Sequence, residues 1–239
     1  MIRRAGFAAL LALAALVPLA LPALAAKEKG RKVELITTAP DFASYGVKSI
    51  ALLPIATFDR NLSAQRLVSD LWGQNFKDTG YRCGSTTGSS DLLRSALGDT
   101  ALKSLTEQIL KNVRVDSLRA PLLCTRLHTS AVLSVRVEQW EQAPILWNQS
   151  GKPTTSVQLK AALVDSSGAL LWSATGSENA EGTYHDPTTN PIGVNSSSLE
   201  NTPITGQGGP PEYQEVLNKL LLRWLAQFPR PVAAGAVAK

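Results

Sequence analysis

A chain of 239 residues, 44% hydrophobic and 18% charged, is long and apolar enough to bury its own core and is not disordered in composition. Its formal net charge is +5 and falls to +3 when Arg3 and Arg4 are set aside with the leader described next. So mild a basic excess says little about nucleic acid, and no nucleic-acid partner is expected.

The leader is MIRR followed by an uncharged run from Ala5 to Leu24 and a small-residue PALAA ending. A basic start, an apolar middle and an Ala-x-Ala site read as a signal peptide over residues 1–25, the alternative being an uncleaved anchor. With the signal removed, no transmembrane segment is expected. No cysteine stands near the cleavage site, so bacterial lipidation is not expected. Residues 26–45 read as a flexible lead. Its Lys27, Lys29, Arg31 and Lys32 form either a solvated tail or a contact for acidic envelope polymers or lipid headgroups.

Within VKSIALLPI, Ile50 to Leu53 read as a buried strand that Pro54 ends. Leu67, Val68, Leu71, Trp72 and Phe76 then recur at helical spacing, with Ser63 as expected N-cap and Gly80 as expected C-cap. YRC is a short strand. The GSTTGSS loop leads into DLLRSALG and TALKSLTEQILK, two helical segments separated at Gly98 and Asp99. A further helix, PLLCTRLH, starts at Pro121.

The period then changes to two. AVLSVRVEQW, residues 131–140, alternates, and so does SVQLKAALVD. DSSG, with Gly168 free to take positive φ, turns the chain into ALLWSAT. One polar face on three consecutive strands implies helices on the other face. Residues 177–209 are rich in Pro, Gly, Asn, Ser and Thr and read as a long polar loop. Tyr213, Val216, Leu217, Leu220, Leu221, Trp224 and Phe228 stripe a closing amphipathic helix, and 229–239 is a small-residue tail. The expected fold is α/β (α+β): one domain over 46–228, a mostly antiparallel sheet with helices packed on it, in the order β-α-β-α-α-β-β-β-α.

IALLPI, AVLSVRVEQW, VQLKAALVDSSGALLWSATG and a closing helix together resemble a superfamily of bacterial envelope proteins. That group includes the curli secretion-channel lipoprotein, the amino-terminal domain of TolB and the lipoprotein activator of peptidoglycan synthase. Of its D-x-x-x-G then LWxxxG pattern, Leu171, Trp172 and Gly176 match the second part, while Asp165 and Gly168 carry the first with one residue fewer between them. The resemblance covers residues 45–228. It implies an exported, periplasmic protein, associated with the outer membrane in some members, acting through protein contacts with no shared catalytic constellation. The missing lipidation cysteine departs from the lipoprotein members, and the 177–209 loop lacks the alternation of a membrane strand, so no pore is expected.

The two cysteines, Cys83 and Cys124, are even in number in an oxidising compartment, so a disulfide worth about 4 kcal/mol is expected, with buried free thiols as the alternative. No cofactor and no metal site is expected, because there is no C-x-x-C, P-loop or dinucleotide fingerprint. His128 ends a helix. His185, in YHD, is a weak candidate for an acid–base or metal role. GSTTGSS carries Thr86 where a nucleophilic serine would stand, and its amides either bind an anion or form a helix entry capped by Ser90. Trp140, Ile145 and Trp147 flank the inter-strand loop EQAPIL, and Tyr184 and His185 lie in the polar loop. These five residues are the candidate partner-binding set. The expected function is that of a non-enzymatic envelope scaffold or accessory factor near peptidoglycan. The alternatives are a periplasmic hydrolase using His185, Asp186 and a loop serine, or a glycan- or anion-binding protein.

Overall fold

The computed structural model describes residues 34–187, 203–204 and 208–231. Among the described residues, seven strands form one sheet. They are β1 (Leu35–Thr38), β2 (Ser49–Leu52), β3 (Ala56–Thr57), β4 (Arg82–Gly84), β5 (Ala131–Ala143), β6 (Thr154–Asp165) and β7 (Leu170–Glu181). Four helices pack on it: α1 (Leu62–Phe76), α2 (Thr86–Asn112), α3 (Ala120–Leu127) and α4 (Tyr213–Ala226). The sheet order is β1-β7-β6-β5-β2-β4, with β3 beside β5. The β1–β7, β7–β6 and β6–β5 pairs are antiparallel, and β2 lies parallel to both β5 and β4. The expected order of elements is present, with β1 and β3 added to it.

Alternation on β2 sends its side chains into two cores. Ile50 and Leu52 join the core with α1 and α4, whereas Ala51 and Leu53 join the core with α2 and α3. Helices therefore cover both faces of this half of the sheet, not the single face expected from the strand pattern. The burial of β5 follows from that cover: its first seven residues are all buried, and alternation applies only where one face is open.

The first core holds an aromatic cluster. Trp224 makes edge contacts with both Trp72 and Trp172 at 6.1 Å, and Phe228 meets Phe76 at 5.1 Å and Trp172 at 4.8 Å. Edge-to-face pairs at these separations add to the burial energy. Trp172 and Gly176 of the LWxxxG stretch thus serve packing, with the glycine leaving room for the Trp224 indole.

Local signals account for most element ends. The N-cap of α1 is Asn61, two residues before the expected Ser63, and its side chain accepts from the Ala64 amide at 3.0 Å. Gly80 takes the left-handed conformation after one further tight turn. The N-cap of α2 is Ser85 rather than Ser90, so most of GSTTGSS is helix, and the helix is kinked at Gly98 (φ 82°, ψ 166°) between the two expected segments. In the β6–β7 turn, Asp165 Oδ1 accepts from the amides of Ser167 (3.0 Å) and Ala169 (2.8 Å) while Gly168 takes φ 82°.

Three expectations are corrected. The lead expected over 26–45 contains β1, whose register Leu35↔Thr175 to Thr38↔Trp172 makes it the partner of β7. The loop expected over 177–209 begins later, because Ser177 to Glu181 continue β7 opposite Gln158 to Thr154. The disulfide is absent, and Cys83 and Cys124 are free thiols. Cys83 pairs with Ile50 and packs on the first core, while Cys124 is buried in the second, so the sheet lies between them. Among the described residues no helix is long and apolar enough to cross a membrane.

Candidate functional site

The far end of β5, β6 and β7 gathers four of the five candidate residues. Leaving β5, the chain folds Ile145 inward, where it is buried, and its carbonyl accepts from the Ile204 amide at 2.8 Å. Leu146 bridges to Pro203. Trp147 follows, half-buried, with its ring edge-on to the His185 imidazole at 5.3 Å. Tyr184 stands beside them with 57% of its surface exposed.

His185 is held from three directions. Its amide donates to the Gly151 carbonyl at 2.8 Å, and its own carbonyl accepts from the Gly151 amide at 3.0 Å. Its Nε2 lies 3.0 Å from the Trp147 carbonyl, a geometry that assigns the proton to Nε2. Only 9% of the residue is exposed. An imidazole whose Nε2 is already donating to backbone is a brace between two loops rather than a general base for solvent-borne substrate. Of the loop serines expected to work with it, Ser177 lies in β7, and Ser196, Ser197 and Ser198 lie outside the described residues.

Trp140 does not join this group. It stacks on Tyr213, the first residue of α4, at 4.3 Å and 12°. The same junction is tied by the Pro211 carbonyl, which accepts from Gln142 Nε2 at 2.9 Å and Thr155 Oγ1 at 2.5 Å. Burial, and secondarily the Glu141 carboxylate, push the Tyr213 hydroxyl above its usual range. Tyr213 was read in the sequence only as part of a helix stripe. Its partnership with Trp140 bridges strand and helix and has no local signal.

The remaining chemistry-bearing groups are quiet. Burial pushes both thiols up to about 11, with Asp165 adding to the shift at Cys124, so neither is a thiolate at neutral pH. His128 is the left-handed cap of α3, with φ 52°. Among the described residues no group of three or more His, Cys, Asp or Glu side chains is placed to hold a metal ion.

No known family and no curated protein matches the sequence. Several solved structures are similar in fold, three of them as follows. A PelC dodecamer from Paraburkholderia phytofirmans is 18% identical, with a TM-score of 0.40 over 84% of this chain and 100% of that one. Lipoprotein GNA1162 from Neisseria meningitidis is 19% identical, with a TM-score of 0.43 over 76% and 99%. The hypothetical protein CT253 from Chlamydia trachomatis is 11% identical, with a TM-score of 0.38 over 75% and 96%. At these identities and scores the likeness transfers no function, ligand or assembly to this chain.

Proposed function

We propose that this chain is a non-catalytic accessory protein of the bacterial cell envelope that binds another protein through the end of the sheet where Trp147, Tyr184 and His185 meet. The observation that carries the reading is the placement of Tyr184. A large, largely exposed aromatic sits on a support braced by the His185–Gly151 backbone pair and the His185–Trp147 contact. Rigidly presented aromatics are efficient binding anchors, because little side-chain freedom is lost on contact. The leader supports export, and the protonated thiols and occupied imidazole favour contact over covalent chemistry. The resemblance through Asp165, Gly168, Leu171, Trp172 and Gly176 points the same way. Periplasmic residence next to the outer membrane and peptidoglycan belongs to this reading.

A photo-crosslinking residue at position 184 tests it in cells. The expected result is one discrete adduct, absent when the same group is placed at Leu118, which is at least as accessible but sits between α2 and α3. Identical adducts from both positions, or none from position 184, would remove the binding surface.

A further inference from the structure

A second place in the fold is built to hold something. β2 continues through α1 on one face of the sheet into β4, and β4 continues through α2 on the opposite face into β5. Adjacent parallel strands whose connections leave on opposite faces open a crevice between them, the place where open α/β sheets take their ligands. A cleft of about 410 Å³ lies here, lined by Leu52 and Gly84, the last residues of β2 and β4. That is enough for a small organic molecule.

The walls differ in chemistry. One is a face of α1 carrying Asp70, Gly73 and Gln74, with Lys77 just beyond it. The other is the first turn of α2, with Ser85 as its cap and Thr86 and Thr87 at its start. The Ser69 and Thr86 hydroxyls are hydrogen-bonded, which ties the two walls together. A helix start directs backbone N–H groups and positive potential outward, and Lys77 adds a cation. Tyr81 also lines the cleft. It is only 5% exposed, yet its hydroxyl has no hydrogen-bond partner among the described residues. A buried phenol left unpaired is costly unless something else meets it. Burial pushes its pKa up to about 12, against the opposing Arg230 charge, so it is a donor at neutral pH. Gly73 is the other signal. A glycine inside a helix is unfavourable, and a Cβ there would meet nothing within 4 Å, so its effect is to leave the cleft open.

We propose that this cleft binds a small polar anion, a phosphate or carboxylate on a hydroxylated body of about monosaccharide size. The anionic group faces the first turn of α2 and Lys77. The hydroxyls meet Asp70 and Gln74, and the Tyr81 phenol donates to the ligand. This is independent of the Tyr184 surface, which lies at the opposite end of β5.

The test is an NMR titration of the mature protein with glucose 6-phosphate, glucuronate, glucose and inorganic phosphate. Either anionic sugar should saturably shift the amides of Thr86, Thr87 and Gly88. Glucose alone should not, and phosphate alone should bind more weakly than the sugar phosphate. Gly73→Leu fills the cleft at a site where helix propensity improves, so it should keep its melting temperature and lose binding. Lys77→Gln, at an exposed position, should weaken binding about tenfold. Failure of both anionic sugars to saturate overturns the proposal. So does equal binding of glucose and its phosphate, or a Gly73→Leu titration like that of the parent protein.

Discussion

Gly176 lies directly beneath the Trp224 indole: a Cβ at position 176 would stand 2.9 Å from Nε1 and 3.1 Å from Leu220 Cδ1. Both neighbours are fully buried, so neither can swing into solvent. Gly176→Ala should therefore overpack the aromatic core and cost about 1–3 kcal/mol. A urea titration followed by tryptophan fluorescence measures this as a lower midpoint at an unchanged slope.

Gly168 is constrained twice. Its φ of 82° disfavours any side chain, and a Cβ would lie 2.7 Å from Ser117 Cβ. Its carbonyl also accepts from Arg114 Nη2 at 2.5 Å, fixing the turn against the segment before α3. Gly168→Ala should cost about 2 kcal/mol or more, exceeding the strain of a left-handed alanine alone. Measuring Gly168→Ala again in an Arg114→Ala background separates the two causes. The backbone strain persists when the tether is cut, whereas the clash with Ser117 is relieved as the turn moves away.

The thiols make stability fall in alkali. Each has a folded pKa of about 11 against a reference of 9.0. The protonated form is favoured in the fold, so the contribution is whole below pH 9 and is lost as pH rises towards 11, where the unfolded chain ionises first. Urea midpoints should drop across that window, and the double variant Cys83→Ala/Cys124→Ala should flatten the drop. Under denaturing, non-reducing conditions a thiol reagent should count two free thiols per chain. A count of zero would mean a disulfide and a different packing of β4 against α3.

His185→Ala removes the bond to the Trp147 carbonyl and the edge contact with its ring. The expected loss is about 1–2 kcal/mol, together with faster amide exchange at Gly151. His185→Gln, which retains a donor, should recover part of it. Equal behaviour of the two variants would show that the ring contact, not the hydrogen bond, holds the loops together.

What was legible in the sequence was what is set locally or by one face. The Asp165–Gly168 turn, the Gly98 break and the α4 stripe each carry their cause within a few residues. β1 does not. LITT is four residues long with Leu35 largely exposed, and it is a strand only because the edge of β7 offers it hydrogen bonds. SENAE at the end of β7 is too polar to read as strand, yet β6 pairs with it and Arg223 from α4 bonds Glu178 across the elements. The disulfide expectation counted cysteines but had no access to which face of the sheet each would occupy. At the candidate site, His185 and Trp147 are 38 positions apart, and YHD beside an acid looks like chemistry until the imidazole is seen bonded to backbone. Trp140 and Tyr213 belong to different elements, and nothing local joins them.

The position of Trp224 has a consequence for the order in which the chain can fold. The β5–β6–β7 meander is local and can form early, whereas β2 must reach β5 across some 80 residues, pairing Ile50 with Ala131. The first core still cannot close, because its central indole arrives on α4, after all seven of the described strands. Cooperative folding therefore waits for α4. A chain that stops short of α4 has an open aromatic face for quality-control proteases to find.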